Sequence, residues 1–362
     1  MRMWVCWFMA LAVAAGCDRE SQTAPVPAKP APRTVVEIEG VAPLLPDRRT
    51  HVAATETGQV FWVQESPDGG RETVFALADG GLPGATRFSN ASVLEALGKP
   101  DGRGHVQSLV AGPDGNLYFF FAGEAGRTLL LALGCFEPVS GTTRVLADGA
   151  RLRDESGMGN TIALARGSVI RSGGQLWLWL RHDHGYALLS MDAAAGAVGT
   201  LRRPFERVWG AGEEVRLVSP GEDLVAGDGG GLIYLDRRRG RLWRIEPTGG
   251  ASVLTEIADL PRGVTAPSTD GRGRLVMFAP DGPAFGAAAD DPFVQAPTVA
   301  ELPAWVILAG PARTVLGRET FAAPERLNVR KLALGQLVRD RSSWLGYDVP
   351  TGELVRVRVV QR

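Results

Sequence analysis

The chain is short of the residues that mark several common protein classes. It has 3 Cys in 362 residues and almost no net charge, with 39 Lys plus Arg against 40 Asp plus Glu. This balance excludes a polybasic protein that holds nucleic acid by neutralising its phosphates. With 45% hydrophobic residues, the composition also excludes wholesale disorder, which requires low hydrophobicity and high net charge.

Motifs for common catalytic chemistry are also missing. The chain has no GxSxG elbow, no HExxH or CxxC motif and no glycine-rich phosphate loop. Cysteine is too scarce for a disulfide framework, because Cys6 and Cys17 lie in the N-terminal segment and only Cys135 remains in the body of the chain. The apolar neighbours of Cys135, in LALGCF, predict a buried structural thiol. Nothing in the sequence firmly implies a cofactor.

The N-terminus has the anatomy of a cleaved signal peptide. Residues 1–16, MRMWVCWFMALAVAAG, contain a positive Arg2, an apolar run and small residues before Cys17. The apolar run is too short for a transmembrane helix, which needs about 20 apolar residues to cross the bilayer core. The sequence LAVAAGC resembles the lipobox of bacterial lipoproteins, and the resemblance implies cleavage before Cys17 and lipid attachment to that residue. The alternative is an ordinary signal peptide in which Cys17 is incidental.

A lipid on Cys17 would anchor the protein to a membrane through residues 17–33. This segment is polar and then rich in Pro and Ala, so it is expected to act as a tether rather than to fold. We therefore expect a location in the cell envelope, facing the periplasm or the exterior. Asp18 resembles an inner-membrane retention signal of enteric bacteria, and the choice of membrane stays open.

The remaining residues, 34–362, repeat one pattern. A turn closes on Gly and leads into a short run of apolar and aromatic residues. The clear copies are TETGQVFWVQ at 55–64, GPDGNLYFFF at 112–121, RSGGQLWLWL at 171–180 and GDGGGLIYLD at 227–236. Gly115 and Gly174 are expected to have positive φ in these turns. Further short strands flank each copy, so each unit has four strands, and a spacing of about 55 residues leaves room for about six units.

Four antiparallel strands repeated radially make a β-propeller. We predict an all-β fold, a six-bladed β-propeller of four-stranded blades. Runs such as LYFFF at 117–121 are apolar on both faces, which suits a blade buried between two neighbours. A β-sandwich is the alternative fold. The only clear helix candidate covers residues 91–97, with Asn90 as N-cap and Gly98 as the terminating residue.

Two segments, GPDGNLYFFF and GLIYLDRRRGRLWRIEPTGG, resemble blades of NHL-type and gluconolactonase-like six-bladed propellers. The resemblance implies the fold for most of residues 50–362 and no particular activity, since the glycines and aromatics that carry it are structural. Gluconolactonase-like enzymes hold a divalent metal with a glutamate, an asparagine and an aspartate. Their local motifs have no match in this chain, and Glu37 falls in an extended TVVEIEG strand, so no catalytic residue is transferred.

The innermost strands of a propeller start around one mouth of its central channel, where ligands can bind. Two registers of the repeat give a set of candidate ligand-binding residues at that mouth: His51, His105, Asn160, Glu214, Asp223 and Asn328. Only His51 belongs to both registers. Imidazole and carboxylate groups there could bind a divalent metal or orient a polar ligand. The alternative is that these are hydrogen-bonded or solvated linker residues.

Two functions remain open from the sequence. The first is a binding or assembly module for a protein, peptide or glycan partner in the envelope. The second is a metal-dependent envelope enzyme, a lactonase, lyase or hydrolase, with its site at the channel mouth. In both cases the long segments at 79–105, 148–162, 202–214 and 279–303 are expected to cluster on the face that carries the mouth.

Overall fold

The structure is a computed structural model. It describes residues 33–44, 50–65, 72–77, 83–156, 166–182, 185–192, 209–210, 213–214, 224–236, 239–246, 250–256, 268–269, 274–279, 304–309, 312–317, 320–328, 332, 334 and 337–362. The predictions for the signal peptide, Cys17 and the tether to residue 32 lie outside these residues.

The described strands form six sheets. The first strand, β1 (Thr34–Pro43), belongs to the sixth sheet. The first sheet contains β2 (Thr50–Ala54), β3 (Val60–Glu65), β4 (Glu72–Leu77) and β5 (Pro83–Ser89). The second contains β6 (Arg103–Ala111), β7 (Leu117–Ala125), β8 (Thr128–Glu137) and β9 (Thr142–Asp148). The third contains β10 (Arg166–Ser172), β11 (Gln175–His182) and β12 (Gly185–Asp192).

The other three sheets include an enlarged one. The fourth contains β13 (Trp209–Gly210), β14 (Glu213–Glu214), β15 (Leu224–Ala226), β16 (Leu232–Asp236), β17 (Arg241–Ile245) and β18 (Gly250–Glu256). The fifth contains β19 (Ser268–Thr269), β20 (Arg274–Ala279), β21 (Ala304–Ala309) and β22 (Ala312–Leu316). The sixth contains β1 with β23 (Phe321–Ala322), β24 (Val338–Asp340), β25 (Ser343–Asp348) and β26 (Glu353–Gln361).

One edge strand of each sheet contacts an edge strand of the next sheet. These contacts run from β2 to β6, β10, β15, β19 and β24, and β24 contacts β2 again. Six edge strands thus form a closed ring, from which each sheet extends through its remaining strands. This is the arrangement of a β-propeller, and it excludes the alternative of a β-sandwich.

The ring is completed by pairing the two ends of the described chain. β1 is antiparallel to β26, from Thr34 opposite Gln361 to Pro43 opposite Glu353. β23 covers part of the outer edge of β1 through a short parallel pairing. The last sheet therefore takes its fourth strand from residues that are more than 300 positions away in the sequence.

The ring has two distinct ends. A short hairpin turn follows each innermost strand, and we call this side the turn end; its described turns are residues 55–59, 112–116, 173–174, 227–231 and 341–342. We call the opposite side, where the innermost strands begin, the loop end. It carries helices α1 and α2, each of which connects the outer strand of one sheet to the inner strand of the next.

Hydrophobic side chains fill the spaces between neighbouring sheets. In β7, Leu117, Phe119 and Phe121 pack with Phe61 and Val63 of the first sheet. The alternate residues Tyr118 and Phe120 pack with the third sheet, where β11 and β12 supply Leu178 and Leu189. The prediction that the LYFFF run is buried on both faces is confirmed. Burying one such side chain away from water stabilises the folded state by about 2–3 kcal/mol.

The helix prediction is correct in place but wrong in its N-cap. Helix α1 (Asn90–Ala96) is capped by Ser89, whose side chain accepts a hydrogen bond from the backbone N–H of Ser92. Asn90 is 1% exposed, and its Nδ2 donates to the carbonyl oxygen of Gly104 at 2.7 Å. A second helix, α2 (Gly149–Ser156), was not predicted, since among its described side chains only Leu152 and Ser156 are buried and its apolar pattern is weak.

The turn glycines agree with the sequence prediction at one position and differ at another. Gly115 has φ +78°, as predicted. The prediction for Gly174 was wrong, because Gly173 takes the positive value, +59°. Ser172 and Gln175 pair across this two-residue turn, and a first central glycine with positive φ is the pattern of a type II′ hairpin.

Candidate functional site

The loop end of the ring contains the two predicted histidines. His51 is the second residue of β2 and His105 is the third residue of β6, and these innermost strands are neighbours in the ring. Their strand partners are Val63 and Ala122. Both histidines are partly buried. The structure therefore brings two imidazoles to the start of adjacent innermost strands, where each can donate or accept a hydrogen bond.

Two other predicted residues do not lie at the start of an innermost strand. Glu214 is in β14, at the outer edge of the fourth sheet, whereas the innermost strand of that sheet begins at Leu224. Asn328 is exposed and lies between β23 and β24, ten residues before β24 begins at Val338. Neither residue therefore begins an innermost strand. In the fourth sheet the hairpin of β13 and β14 precedes β15, and in the sixth the turn after β24, at residues 341–342, contains no glycine that would mark this strand in the sequence. Asn160 and Asp223 lie outside the described residues.

The register anchored on the turn glycines predicted Ser108 and Ser168 at the starts of innermost strands. Ser168 is the third residue of β10, whereas Ser108 is the sixth of the nine residues of β6 and lies away from its start. Ser108 has a structural role, because its Oγ accepts a hydrogen bond from the backbone N–H of Val169 at 2.7 Å. This bond joins the second sheet to the third through a buried pair of groups.

The turn end is linked across several sheets by hydrogen bonds. Ser172 Oγ lies 2.9 Å from the carbonyl oxygen of Gly227 and 2.6 Å from that of Gly231, in the turn of the fourth sheet. The Trp177 indole N–H donates to the carbonyl oxygen of Gly230 at 3.2 Å. The third and fourth sheets are therefore joined at their turns, with little room between them: a Cβ on Gly173 would lie 3.3 Å from Gly230.

Two arginines extend this linkage around the ring. Arg171, at the end of β10, donates to the carbonyl oxygen of Ala111 at 3.4 Å and pairs with Glu56 at 2.5 Å. Arg341, in the turn of the sixth sheet, donates to the carbonyl oxygen of Thr57. Arg341 also has φ +55°, an uncommon conformation for a residue other than glycine. The turn at residues 55–59 is thus held from both sides.

We call this set of contacts the turn belt: Glu56, Thr57, Ala111, Arg171, Ser172, Trp177, Gly227, Gly230, Gly231 and Arg341. The repeat pattern of the sequence does not predict these contacts. The only local signal is a polar residue next to a glycine turn, such as Ser172 before Gly173, and the partners lie between 50 and 290 residues away. These residues come into contact only when the sheets have closed into the ring, so their contacts cannot be read from the sequence of a single unit.

Cys135 lies in the second sheet, as a buried thiol. It is 1% exposed, opposite Tyr118 on one side and Arg144 on the other. Burial raises the pKa of Cys135 to about 11. Burial and the hydrogen bond from its hydroxyl to Asp114, 2.9 Å long, also raise the pKa of Tyr118. The prediction of a structural cysteine is confirmed, since a thiol needs a lowered pKa and solvent access to react readily.

The metal site implied by the family resemblance does not fit the described residues. Among them there is no group of three or more His, Cys, Asp or Glu side chains that could hold a metal ion. Glu37 lies in β1, far from the innermost strand of its sheet, and pairs with Arg362. In the part of the chain that the structure describes, no helix has the length and apolar character needed to cross a membrane.

Comparisons with known proteins support the fold. Neither the models of known protein families nor the curated proteins give a match. Among solved structures, the chain is similar to a protein of unknown function from Bacteroides thetaiotaomicron VPI-5482, with a TM-score of 0.51 and 10% identity over 91% of this chain and 77% of the other. This likeness extends over most of the ring and concerns the fold alone.

Two further structures are similar at lower TM-scores. A luciferin-regenerating enzyme matches with a TM-score of 0.49 and 9% identity, over 91% of this chain and 95% of the other. TolB from Acinetobacter baumannii matches with a TM-score of 0.44 and 11% identity, over 84% of this chain and 65% of the other.

Proposed function

We propose that this protein is a lipid-anchored component of the cell envelope whose six-bladed β-propeller binds a protein, peptide or glycan partner at its loop end. Six innermost strands contact one another in a closed ring, which supports a count of six blades. The lipobox resemblance supports a lipid on Cys17, followed by a Pro/Ala-rich tether that holds the propeller in the periplasm or at the exterior.

The difference between the two ends of the ring carries this proposal. At the turn end, short turns are fixed by the turn belt. At the loop end, the connection after α1, helix α2 and the turn between β7 and β8 present exposed polar side chains, including Lys99, Asp154 and Arg127 respectively. Side chains on such connections can vary without disturbing a rigid scaffold, so this is where a binding surface can be built.

Photo-crosslinking from the two ends of one strand tests this surface. Arg127 lies in the turn before β8 at the loop end, and Ser140 lies in the turn after β8 at the turn end; both are exposed. A photo-reactive amino acid at Arg127 or Lys99 should give the same discrete crosslinked species in intact cells. The matched probe at Ser140 should not give it. A species captured only from Ser140 would contradict the proposal.

The second candidate function is a metal-dependent envelope enzyme, a lactonase, lyase or hydrolase. The observation in its favour is the position of His51 and His105 on adjacent innermost strands. Two imidazoles do not complete a catalytic zinc site, which uses three protein ligands. Metal analysis of the purified protein separates the two functions. A stoichiometric divalent ion that is lost in the His51→Ala, His105→Ala double variant would favour the enzyme and overturn the binding module.

A further inference from the structure

We infer that the turn end is the surface that rests on the lipid bilayer, so that the loop end is directed away from the membrane. This inference rests on the proposed lipidation of Cys17. The turn end would contact the lipid headgroups of the membrane that holds the anchor.

The tether joins the propeller at the start of β1. β24 and β26 are both antiparallel to β25, so both run toward the turn end, where β24 ends at Asp340. β1 is antiparallel to β26, with Thr34 opposite Gln361. The propeller therefore begins, at Thr34, on the turn end. Its last strand finishes there as well.

The connection between the lipid and the propeller is short. Sixteen residues, 18–33, separate Cys17 from Thr34, and a fully extended chain of that length spans at most about 55 Å. The lipid thus keeps the propeller at high effective concentration beside the bilayer, and because this reach exceeds the length of a strand, the choice between the two ends depends on their surface chemistry. A surface with only weak affinity for lipid is then occupied most of the time.

The turn end carries exposed arginine side chains. Arg339, Arg341 and Arg362 are exposed there, and Arg33 precedes Thr34. Arg362 pairs with Glu37, and Arg341 donates to the carbonyl oxygen of Thr57, but both side chains stay exposed. Guanidinium groups bind phosphate oxygens through paired hydrogen bonds, and a bilayer surface is rich in phosphate. Acidic side chains on the same end are engaged within the protein: Glu56 pairs with Arg171, and Asp114 accepts from Tyr118 and Asn116.

The turn end also carries an apolar tip. Val139, in the turn between β8 and β9, is fully exposed at 103% relative accessibility, beside Pro138. No other large hydrophobic residue in the described part of the chain is as exposed; Val349, at the loop end, is 38% exposed. Val139 lies on the second sheet and Arg339, Arg341 and Arg362 on the sixth, all at the turn end. A surface that carries both an apolar side chain and cations is suited to the boundary between headgroups and acyl chains.

Depth-dependent fluorescence quenching tests this orientation on the full lipoprotein. Val139→Cys and Val349→Cys each place one reactive thiol, at the turn end and at the loop end. Native Cys135 is buried and its thiol stays protonated at neutral pH, so a maleimide dye attaches to the introduced cysteine. Each labelled protein is reconstituted in vesicles that contain anionic phospholipid and a spin-labelled headgroup lipid.

The two positions lie at opposite ends of strands of nine or ten residues, a separation of about 30 Å. We expect strong quenching of the dye at position 139 and little at 349. An Arg339→Gln, Arg362→Gln variant should reduce the quenching at 139. Equal quenching at both positions, or stronger quenching at 349, would overturn the inference.

The same samples distinguish failure of the orientation from failure of the anchor. If the labelled proteins float with the vesicles but show equal quenching, the lipid anchor stands and the orientation is wrong. If they do not float with the vesicles, Cys17 is not lipidated, and both the anchor and the orientation fail.

Discussion

At the scale of single residues, hydrogen bonds between sheets hold the ring together. Ser108 is buried, and its Oγ is the acceptor for the backbone N–H of Val169. Replacing Ser108 with Ala leaves that N–H buried without its acceptor, which should lower the free energy of unfolding by about 1–3 kcal/mol. Urea unfolding measures the change. The matched variant Ser140→Ala removes an exposed hydroxyl and should stay within about 0.5 kcal/mol; an equal loss in both would refute this role for Ser108.

Turn conformation is a second property of single residues. Gly115 has φ +78° and no atom within 4 Å of an added Cβ, so the cost of a side chain there is backbone strain alone. Gly115→Val should destabilise the protein by about 1–2 kcal/mol. Gly174→Val is the control, because Gly174 also has open space around its Cβ position but no positive φ. Similar midpoints of urea unfolding for the two variants would show that φ is not the cause.

At the scale of elements, β1 should contribute to stability as much as any strand inside a sheet. Ile38 is 4% exposed and packs in the core between the fifth and sixth sheets, while the next residue, Glu39, is exposed. Ile38→Ala should cost about 2–5 kcal/mol through lost burial and a cavity. Glu39→Ala removes only exposed ion pairs with Arg356 and Arg358, worth about 1 kcal/mol or less. If Ile38→Ala unfolds at the wild-type urea concentration, β1 is not part of the cooperative unit.

Elements also show how far the sequence could predict this fold. Strands β7, β11 and β16 follow directly from the repeated glycine turn and aromatic run, because both signals are local. The pairing of β1 with β26 joins residues 327 positions apart, such as Thr34 and Gln361, and no local pattern encodes it. The same holds for the extra hairpin of β13 and β14, which moved Glu214 from the predicted mouth to an outer edge.

The candidate site was less predictable than the fold for a related reason. The positions of His51 and His105 depended only on the first two units, where the repeat is regular. In the sixth unit the turn after the innermost strand, at residues 341–342, contains no glycine, so the repeat gives no signal for the start of β24 and indicates Asn328 instead. The contacts of the turn belt depend on side chains that meet across sheets, as Arg171 and Glu56 do over 115 positions. Spacing rules within one unit cannot detect them.

At the scale of the whole molecule, the proposed function depends on one residue that joins the propeller to a membrane. A lipid on Cys17 would supply several acyl chains, and each buried CH₂ contributes about 0.8 kcal/mol, so attachment by more than one chain is stable whereas one chain alone is marginal.

Cys17→Ser removes the attachment atom without altering any described residue of the ring. We expect a soluble protein or an uncleaved precursor, distinguished by membrane fractionation and by the mass of the purified chain. Ala15→Ser is the control, since it changes a neighbouring small residue and keeps the thiol, and it should remain in the membrane fraction. If the Cys17→Ser protein is processed to the mature mass and fractionates with membranes as the wild type does, the lipid anchor is excluded and the propeller reaches its partner by another route.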